Sequence, residues 1–119
     1  MSRFSSRIRP HVQAELDAAR LAERRGHFHT AFQHLERAHI LGQAATREHM
    51  RVHGLMLSFA LRHRRSGEAL GQAWRLVAAA LFTALGLVPE GNTGGAGVSA
   101  FHRMPIDAAL RRLIDSARA

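Results

Sequence analysis

The sequence predicts an all-α fold of two antiparallel helical hairpins, which form a four-helix array, followed by a glycine-rich loop and a C-terminal helix. Apolar residues recur every three or four positions along most of the chain, as in helices with one buried face. Glycine, proline and capping residues interrupt this spacing where helices are expected to end. A chain of 119 residues is long enough for one hydrophobic core and too short for two, so a single domain, 1–119, is predicted. The predicted helices span about 10–25, 28–41, 47–64, 67–85 and 106–118, and the predicted loop spans 87–104.

Composition argues against several classes of function. The chain has no cysteine, which rules out disulfides, thiolate metal sites and thiol nucleophiles. Its net charge of +8 reflects 17 basic residues, all arginine, which could grip phosphate groups. The arginines are scattered, however, and base-stacking residues are scarce, with 6 Phe, 1 Trp and no Tyr. Nucleic-acid binding is therefore not favoured, and steep salt dependence of binding would reveal it.

No segment has the pattern of an export signal or a membrane span. The first ten residues include arginines but no apolar core of the kind that secretory signals carry. The longest apolar stretch, 76–88, is shorter than the roughly 20 residues that a membrane-spanning helix requires. A cytoplasmic location is expected.

The first predicted helix carries a carboxylate within its apolar stripe. Pro10 can begin this helix, and Gly26 ends it. Glu15 lies in the middle of the stripe, and His11 lies one turn earlier on the same side. Because burying an unpaired charge is costly, Glu15 must find a partner, take up a proton or face a wet groove. The apolar members of the stripe are Ile8, Val12, Ala18, Ala19 and Ala22.

The second and third predicted helices each present a pair of potential metal or proton ligands. Glu36 and His39 are about 60° apart on a helix of about 3.6 residues per turn, so they share a face. His49 and His53 are about 40° apart and share a face in the same way. Both of these histidines, and His39, fall on apolar sides of their helices. A turn over 42–45 folds the third helix back along the second, so the two pairs are predicted to meet near that turn.

Other polar residues on these helices are predicted to face solvent. His34 projects away from the apolar stripe of the second helix, and His27 and His29 stand at its start. The fourth predicted helix is apolar nearly all round, which suits the most buried helix of a bundle. Its one polar stripe is interpreted as its solvent side, with the alternative that the stripe faces the same site as the histidines. The stripe consists of Glu68, Gln72, Arg75 and Thr83.

The last part of the chain begins with an irregular segment. Residues 89–104 are rich in glycine and have no helical period, which predicts a connector. A glycine nest there could cradle an anion, but the segment matches neither the phosphate-loop nor the dinucleotide-binding pattern. Pro105 then opens a short amphipathic helix.

Two resemblances support the helical interpretation. The spacing of one glycine with small and apolar residues over 26–38 resembles the tetratricopeptide helical hairpin, which implies close-packed antiparallel helices and a groove able to bind peptides. HLERAHILGQ (34–43), the following His49 and His53, and GNTGG (91–95) resemble a family of small uncharacterised bacterial proteins, a domain of unknown function. The second resemblance covers most of the chain and implies a compact helical domain without indicating any chemistry. The residues that match the tetratricopeptide hairpin are Gly26, Phe28, Ala31, Leu35 and Ala38.

The leading functional hypothesis is a transition-metal site. Three helices each offer a same-face pair, and Glu36-Arg37-Ala38-His39 resembles the Glu-x-x-His motif of ferritin-like di-iron proteins, which use two such motifs. A ligand set richer in imidazole than in carboxylate favours zinc, copper, nickel or a single iron, with the identity left open. The spacing of His49 and His53 matches the zinc-protease helix, but Met50 stands where that chemistry needs a glutamate. The predicted ligands are His39, His49, His53, Glu36, Glu15 and His11, with the glutamates as ligands or as partners that orient the imidazoles.

A second hypothesis belongs to a different class of function. The inward-facing histidines and glutamates could instead form a structural or proton-relay network within an interaction module, which would hold a peptide, a partner protein or a second copy in a groove between hairpins. No nucleophile–base pair, cofactor fingerprint or phosphate loop points to a reaction, so the expectation leans away from an enzyme.

Overall fold

The computed structural model describes residues 2–64, 68, 71–72, 74–76, 78 and 103–119. Throughout these residues the regular structure is α-helical and includes no strand, which confirms the all-α class. The described residues between 68 and 78 are helical as well. The predicted glycine-rich loop, with its GNTGG motif, lies outside the described residues apart from 103–104. The numbered helices are α1 (Arg3–Arg24), α2 (Phe28–Gly42), α3 (Thr46–Arg62) and α4 (Ala108–Arg118).

Helix α1 begins earlier than the predicted start near residue 10. The Ser2 side chain accepts a hydrogen bond from the backbone N–H of Ser5 at 3.1 Å, which satisfies one of the donors at the start of the helix. Pro10 is exposed inside the helix, where the preceding turn is retained although proline donates no backbone hydrogen bond. Ile8, which is fully buried one turn before Val12, makes the earlier start favourable.

Helices α1 and α2 run antiparallel, and α3 runs parallel to α1. Gly26 turns the chain between α1 and α2 with φ of 76°, a conformation that side chains rarely adopt. The α1–α3 direction follows from three cross-links whose order is the same along both helices. These are the pairs Arg9–Glu48, Gln13–Arg51 and Glu23–Arg62.

The core lies where α1, α2 and α3 meet, and α4 covers one side of it. Helix α4 contacts α1 and α2 through the apolar face predicted from its sequence. Burial of such faces is the main stabilising contribution in a bundle of this size. The fully buried apolar residues of the first three helices are Ile8, Val12, Ala31, Ala38, Leu41, Val52, Met56, Phe59 and Ala60. The α4 residues in the core are Leu110, Ile114 and Ala117.

The end of α2 and the start of α3 approach each other closely at Gly42. A Cβ atom built at Gly42 would lie 2.9 Å from the Cβ of Glu48, too near for any other residue without movement. The short connection 43–45 and this missing side chain bring the inner faces of the two helices together. None of the helices in the described part of the chain has the length and apolar character required to cross a membrane.

Candidate metal centre

Helices α2 and α3 bring three histidines together near their connecting turn. His39 lies in the last turn of α2, and His49 and His53 lie one turn apart on the same face of α3. Their exposed fractions are 2%, 5% and 2%, respectively. The predicted meeting of the α2 and α3 histidines is therefore present in the fold, and we call this group the histidine triangle.

The three rings of the histidine triangle point the same nitrogen atom at a common centre. The Nε2 atom of His39 lies 2.9 Å from that of His49 and 3.0 Å from that of His53. The remaining side, between the Nε2 atoms of His49 and His53, is 3.1 Å. The ring plane of His39 is inclined at 71° to that of His49 and at 68° to that of His53. The rings therefore meet through their nitrogen edges rather than through stacked faces.

This triangle has the dimensions of one face of a metal coordination sphere. An ion about 2.05 Å from each Nε2 atom would lie about 1.1 Å out of their plane, with N–metal–N angles of about 94°. Those angles lie between about 90° for an octahedral face and about 109° for a tetrahedral one, so modest adjustment reaches either geometry. The group holds imidazole nitrogens alone, and its three ligand atoms all lie within 4.8 Å of one another.

Protons alone satisfy such an arrangement poorly. A neutral imidazole has one N–H and one lone pair, so an Nε2–H at one corner can donate to only one of the other two corners. If only one Nε2 carries a hydrogen, two of the three Nε2 atoms face each other with lone pairs and no hydrogen between them. If two carry hydrogens, both N–H groups crowd the centre of the triangle. A cation at the centre accepts all three lone pairs at once.

The surroundings lower the pKa of two of these imidazoles, those of His49 and His53. Burial, with a smaller contribution from the neighbouring charge of His53, lowers the pKa of His49 from 6.5 to about 3. Burial also lowers the pKa of His53, and the positive charge of Arg75 lowers it further, while the hydrogen bond to Gln72 acts in the opposite direction. Neutral imidazole is the form that binds metal ions, so little competition from protons is expected near neutral pH.

A buried amide fixes the orientation and tautomer of His53. Gln72, which is 0% exposed, places Oε1 2.5 Å from Nδ1 of His53 and donates from Nε2 to Glu68 at 2.8 Å. Because the Glu68 carboxylate only accepts hydrogen bonds, the amide nitrogen must face it and the amide oxygen must face His53. Nδ1 of His53 therefore carries the hydrogen, and its Nε2 lone pair points into the histidine triangle.

The polar stripe that contains Gln72 was predicted to face solvent, and this prediction is wrong for its described members. Gln72 and Arg75 are buried at 0% and 7% exposure, whereas the apolar Trp74 of the same helix is 59% exposed. The stripe turns inward because Gln72 and Glu68 satisfy each other and His53 in the interior. The alternative interpretation, in which the stripe faces the histidines, was the correct one.

The other three predicted ligands lie outside the histidine triangle. Glu15 bonds instead to Nδ1 of His34 at 2.7 Å and to Nε of Arg37 at 2.9 Å, so it has the partners that its position required. Its partner His34 is half-buried rather than solvated as predicted. Glu36 lines a shallow surface cavity on α2 with His34 and Arg37, and His11 is half-buried on α1.

Three residues of the surroundings were not among the predicted ligands. Gln72 and Arg75 were considered only in the alternative placement of the polar stripe, which needs buried partners if it faces inward. Glu48 lies in the first turn of α3, where a carboxylate is favoured by the helix dipole even at the surface. Its side chain is in fact buried, 3.7 Å from Arg9 and 3.3 Å from Arg51, and its Oε2 atom has no hydrogen-bond partner.

The fold and the site together define a small all-α protein with a buried cluster of three histidines. The chain belongs to the family described as Protein of unknown function (DUF3703), whose model matches residues 6–114. That range includes all of the histidine triangle, Glu68, Gln72 and Arg75. Neither the curated proteins nor the solved structures contain a match to this chain.

Proposed function

We propose that this chain, as one helical domain over 1–119, binds a single transition-metal ion through the Nε2 atoms of His39, His49 and His53. The observation that supports the proposal is the closed triangle of Nε2 atoms, with sides of 2.9, 3.0 and 3.1 Å. Three imidazoles without a thiolate suit zinc, copper, nickel or iron. Glu15, Glu36 and His11 are assigned no ligand role.

A second observation in favour of the proposal is that hydrogen bonds already orient one of the ligands. Metal-binding histidines usually donate their other ring N–H to an oxygen acceptor, which orients the ring. The link from His53 through Gln72 to Glu68 provides this for one corner of the histidine triangle. Such an arrangement is built before an ion binds, which lowers the cost of binding.

Metal content per chain, measured on protein purified without an affinity tag, tests the proposal. The protein is stripped with chelator, incubated with one ion at a time and washed, and its metal is quantified by elemental analysis. We expect one ion per chain for the natural sequence and for the exposed-site control His29→Gln, and less than a tenth of that for His49→Gln. Equal metal contents in His49→Gln and His29→Gln would falsify the proposal.

A second candidate function is peptide binding in the groove between α1 and α3, with the histidines as a structural network. A cavity of about 240 Å³ favours it, because α2 forms the floor and the two parallel helices form walls, a tetratricopeptide-like arrangement. Arg20 at its rim favours an apolar peptide with an acidic flank, whereas Arg62 is already paired with Glu23. The apolar lining consists of Leu16, Ala19, Leu35, Leu55 and Phe59.

Selection from a displayed peptide library, with and without chelator, tests the second candidate. Peptides that bind in the groove should lose affinity with Leu55→Gln and keep it with Leu61→Gln, whose leucine is 64% exposed outside the groove. Selection of no peptide that separates these two variants would remove this candidate.

A further inference from the structure

The histidine triangle leaves the charge of a bound ion uncompensated. This inference rests on the proposed function, since it concerns what else must bind once a divalent ion is present. Three neutral imidazoles contribute no negative charge, and all three side chains are at most 5% exposed. A divalent ion in such surroundings is costly unless an anion lies beside it.

The nearby carboxylates of the described residues are already matched by cations. Glu48 lies between Arg9 and Arg51, at 3.7 and 3.3 Å. Glu15 is bound to Arg37 and His34 on the outer side of α2. Neither carboxylate belongs to the group of atoms that could ligate the ion.

A third carboxylate, Glu68, is matched by a buried arginine. Arg75 lies two helical turns after Glu68 and one turn after Gln72, so the three share a face of the helix. It is 7% exposed, and its charge acts on His53 and interacts with that of Glu68. The formal charges of Glu68 and Arg75 sum to zero. This pair therefore provides no net negative charge to balance that of the ion.

The geometry of the histidine triangle also leaves coordination positions open. All three donors occupy one face, and an ion about 1.1 Å outside their plane has its other positions on the opposite side. Such a site differs from a closed structural zinc site, which uses four protein ligands.

We propose that the open positions take a small oxyanion, a carboxylate, bicarbonate or phosphate, held jointly by the metal ion and the Arg75 guanidinium. One oxygen atom of the anion coordinates the ion, and the others accept hydrogen bonds from the fork of guanidinium N–H groups. An oxyanion compensates the charge of the ion and at the same time uses a buried arginine whose planar shape suits it. A spherical anion such as chloride can do only the first.

Visible absorption of cobalt-loaded protein tests this inference, because the spectrum of Co²⁺ responds to changes in its ligands. The full chain carrying one Co²⁺ is titrated separately with acetate, bicarbonate, phosphate and chloride, and the arms of the titration identify which oxyanion binds. We expect saturable spectral changes with at least one oxyanion, at concentrations at least about tenfold below those needed with chloride. Cobalt content is measured on the same samples.

Three arginine variants separate the role of Arg75 from a general effect of charge. Arg75→Gln is expected to keep one Co²⁺ per chain and to lose the preference for oxyanions over chloride, whereas Arg20→Gln, an exposed arginine on α1, should keep it. Arg75→Lys retains the charge without the fork and should weaken oxyanion binding at least about fivefold. It also serves as the test if Arg75→Gln does not fold, as judged by circular dichroism.

Failure of the inference differs from failure of the proposed function. Cobalt bound at one ion per chain, with a spectrum that none of the three oxyanions changes, overturns the oxyanion inference and leaves the metal site intact. Oxyanion preference that is equal in the Arg75 variants and Arg20→Gln also overturns it. Absence of bound cobalt overturns both.

Discussion

Two of the three histidines of helix α2, only five positions apart, lie in opposite surroundings. His34 is half-buried and lies 2.7 Å from a carboxylate, Glu15, which Arg37 also binds. His39 is 2% exposed, and two further imidazoles face its Nε2 atom. The first group is complete by itself, because its charges and hydrogen bonds are matched within the protein. The histidine triangle could hold a cation, and this contrast separates a structural histidine from a candidate ligand.

The largest expected effect comes from replacing each histidine in turn and measuring thermal stability with and without metal. An ion at about 100 times its dissociation constant stabilises the folded state by about 2.7 kcal/mol, because it binds only that state. We expect His39→Gln to abolish this gain and His34→Gln to keep it. His34→Gln should also unfold more easily, by about 1 kcal/mol, because Glu15 loses a partner. Similar metal-dependent gains in both variants would remove the distinction between the two groups.

The next effect concerns the residue that orients His53. Gln72→Leu has similar volume and no hydrogen-bond acceptor, so Nδ1 of His53 loses its partner and the ring loses its fixed tautomer. We expect metal affinity to fall about 10- to 100-fold. Competition with a coloured chelator measures the affinity, and Gln33→Leu, an exposed change on α2, is the control. If affinity is unchanged in Gln72→Leu, the amide does not position the ligand.

Two glycines near the histidine triangle should respond to alanine with opposite signs. Gly42→Ala would place its Cβ 2.9 Å from the Cβ of Glu48, whereas a Cβ at Gly54 meets nothing within 4 Å. We expect Gly42→Ala to destabilise the protein by about 1–3 kcal/mol and to weaken metal binding, since α2 and α3 must separate. Gly54→Ala should stabilise it by about 0.5–1 kcal/mol. Chemical denaturation checks both values, and a stabilising Gly42→Ala would contradict the close approach.

The last effect is the pH dependence of the metal-free protein. Because the pKa of His49 falls from 6.5 to about 3 on folding, the unfolded chain binds a proton that the folded chain does not between those values. Stability should therefore decrease as the pH falls from 6.5, by up to about 1.4 kcal/mol per pH unit for this group. Comparison with His49→Gln between pH 6.5 and 5, above the range where carboxylates titrate, isolates the effect. Parallel stability curves would show that His49 is not the group responsible.

The sequence was sufficient for the features that depend on local spacing. The order of the first three helices, and the convergence of His39, His49 and His53, follow from the 3.6-residue period and a short turn. The same spacing did not determine whether the other predicted ligands, Glu15, Glu36 and His11, lie at the site. Glu15 lies on a side of α1 that faces other helices, as predicted, but its partners there are Arg37 and His34 instead of the histidine triangle.

The orientation of the helix that carries Gln72 could not be predicted from its sequence pattern. A helix that is apolar nearly all round has no single face that must be buried, so its rotation depends on what its polar residues meet. Trp74 is exposed and Gln72 buried because His53 offers Gln72 a hydrogen-bond partner, a contact between residues 19 positions apart. The early start of α1 has a local signal, because Ser2 can cap a helix that includes the apolar Ile8. Pro10, a residue type common in the first turn of helices, favours a later start.

X-ray absorption spectroscopy of the metal-loaded protein tests the central claim most directly. The structure predicts three imidazole nitrogens about 2.0–2.1 Å from a single ion, with the outer-ring scattering typical of histidine, and a decrease to two imidazoles in His53→Gln. A spectrum that requires one imidazole or none, or that is the same in His53→Gln as in the natural sequence, would contradict a metal centre at the histidine triangle.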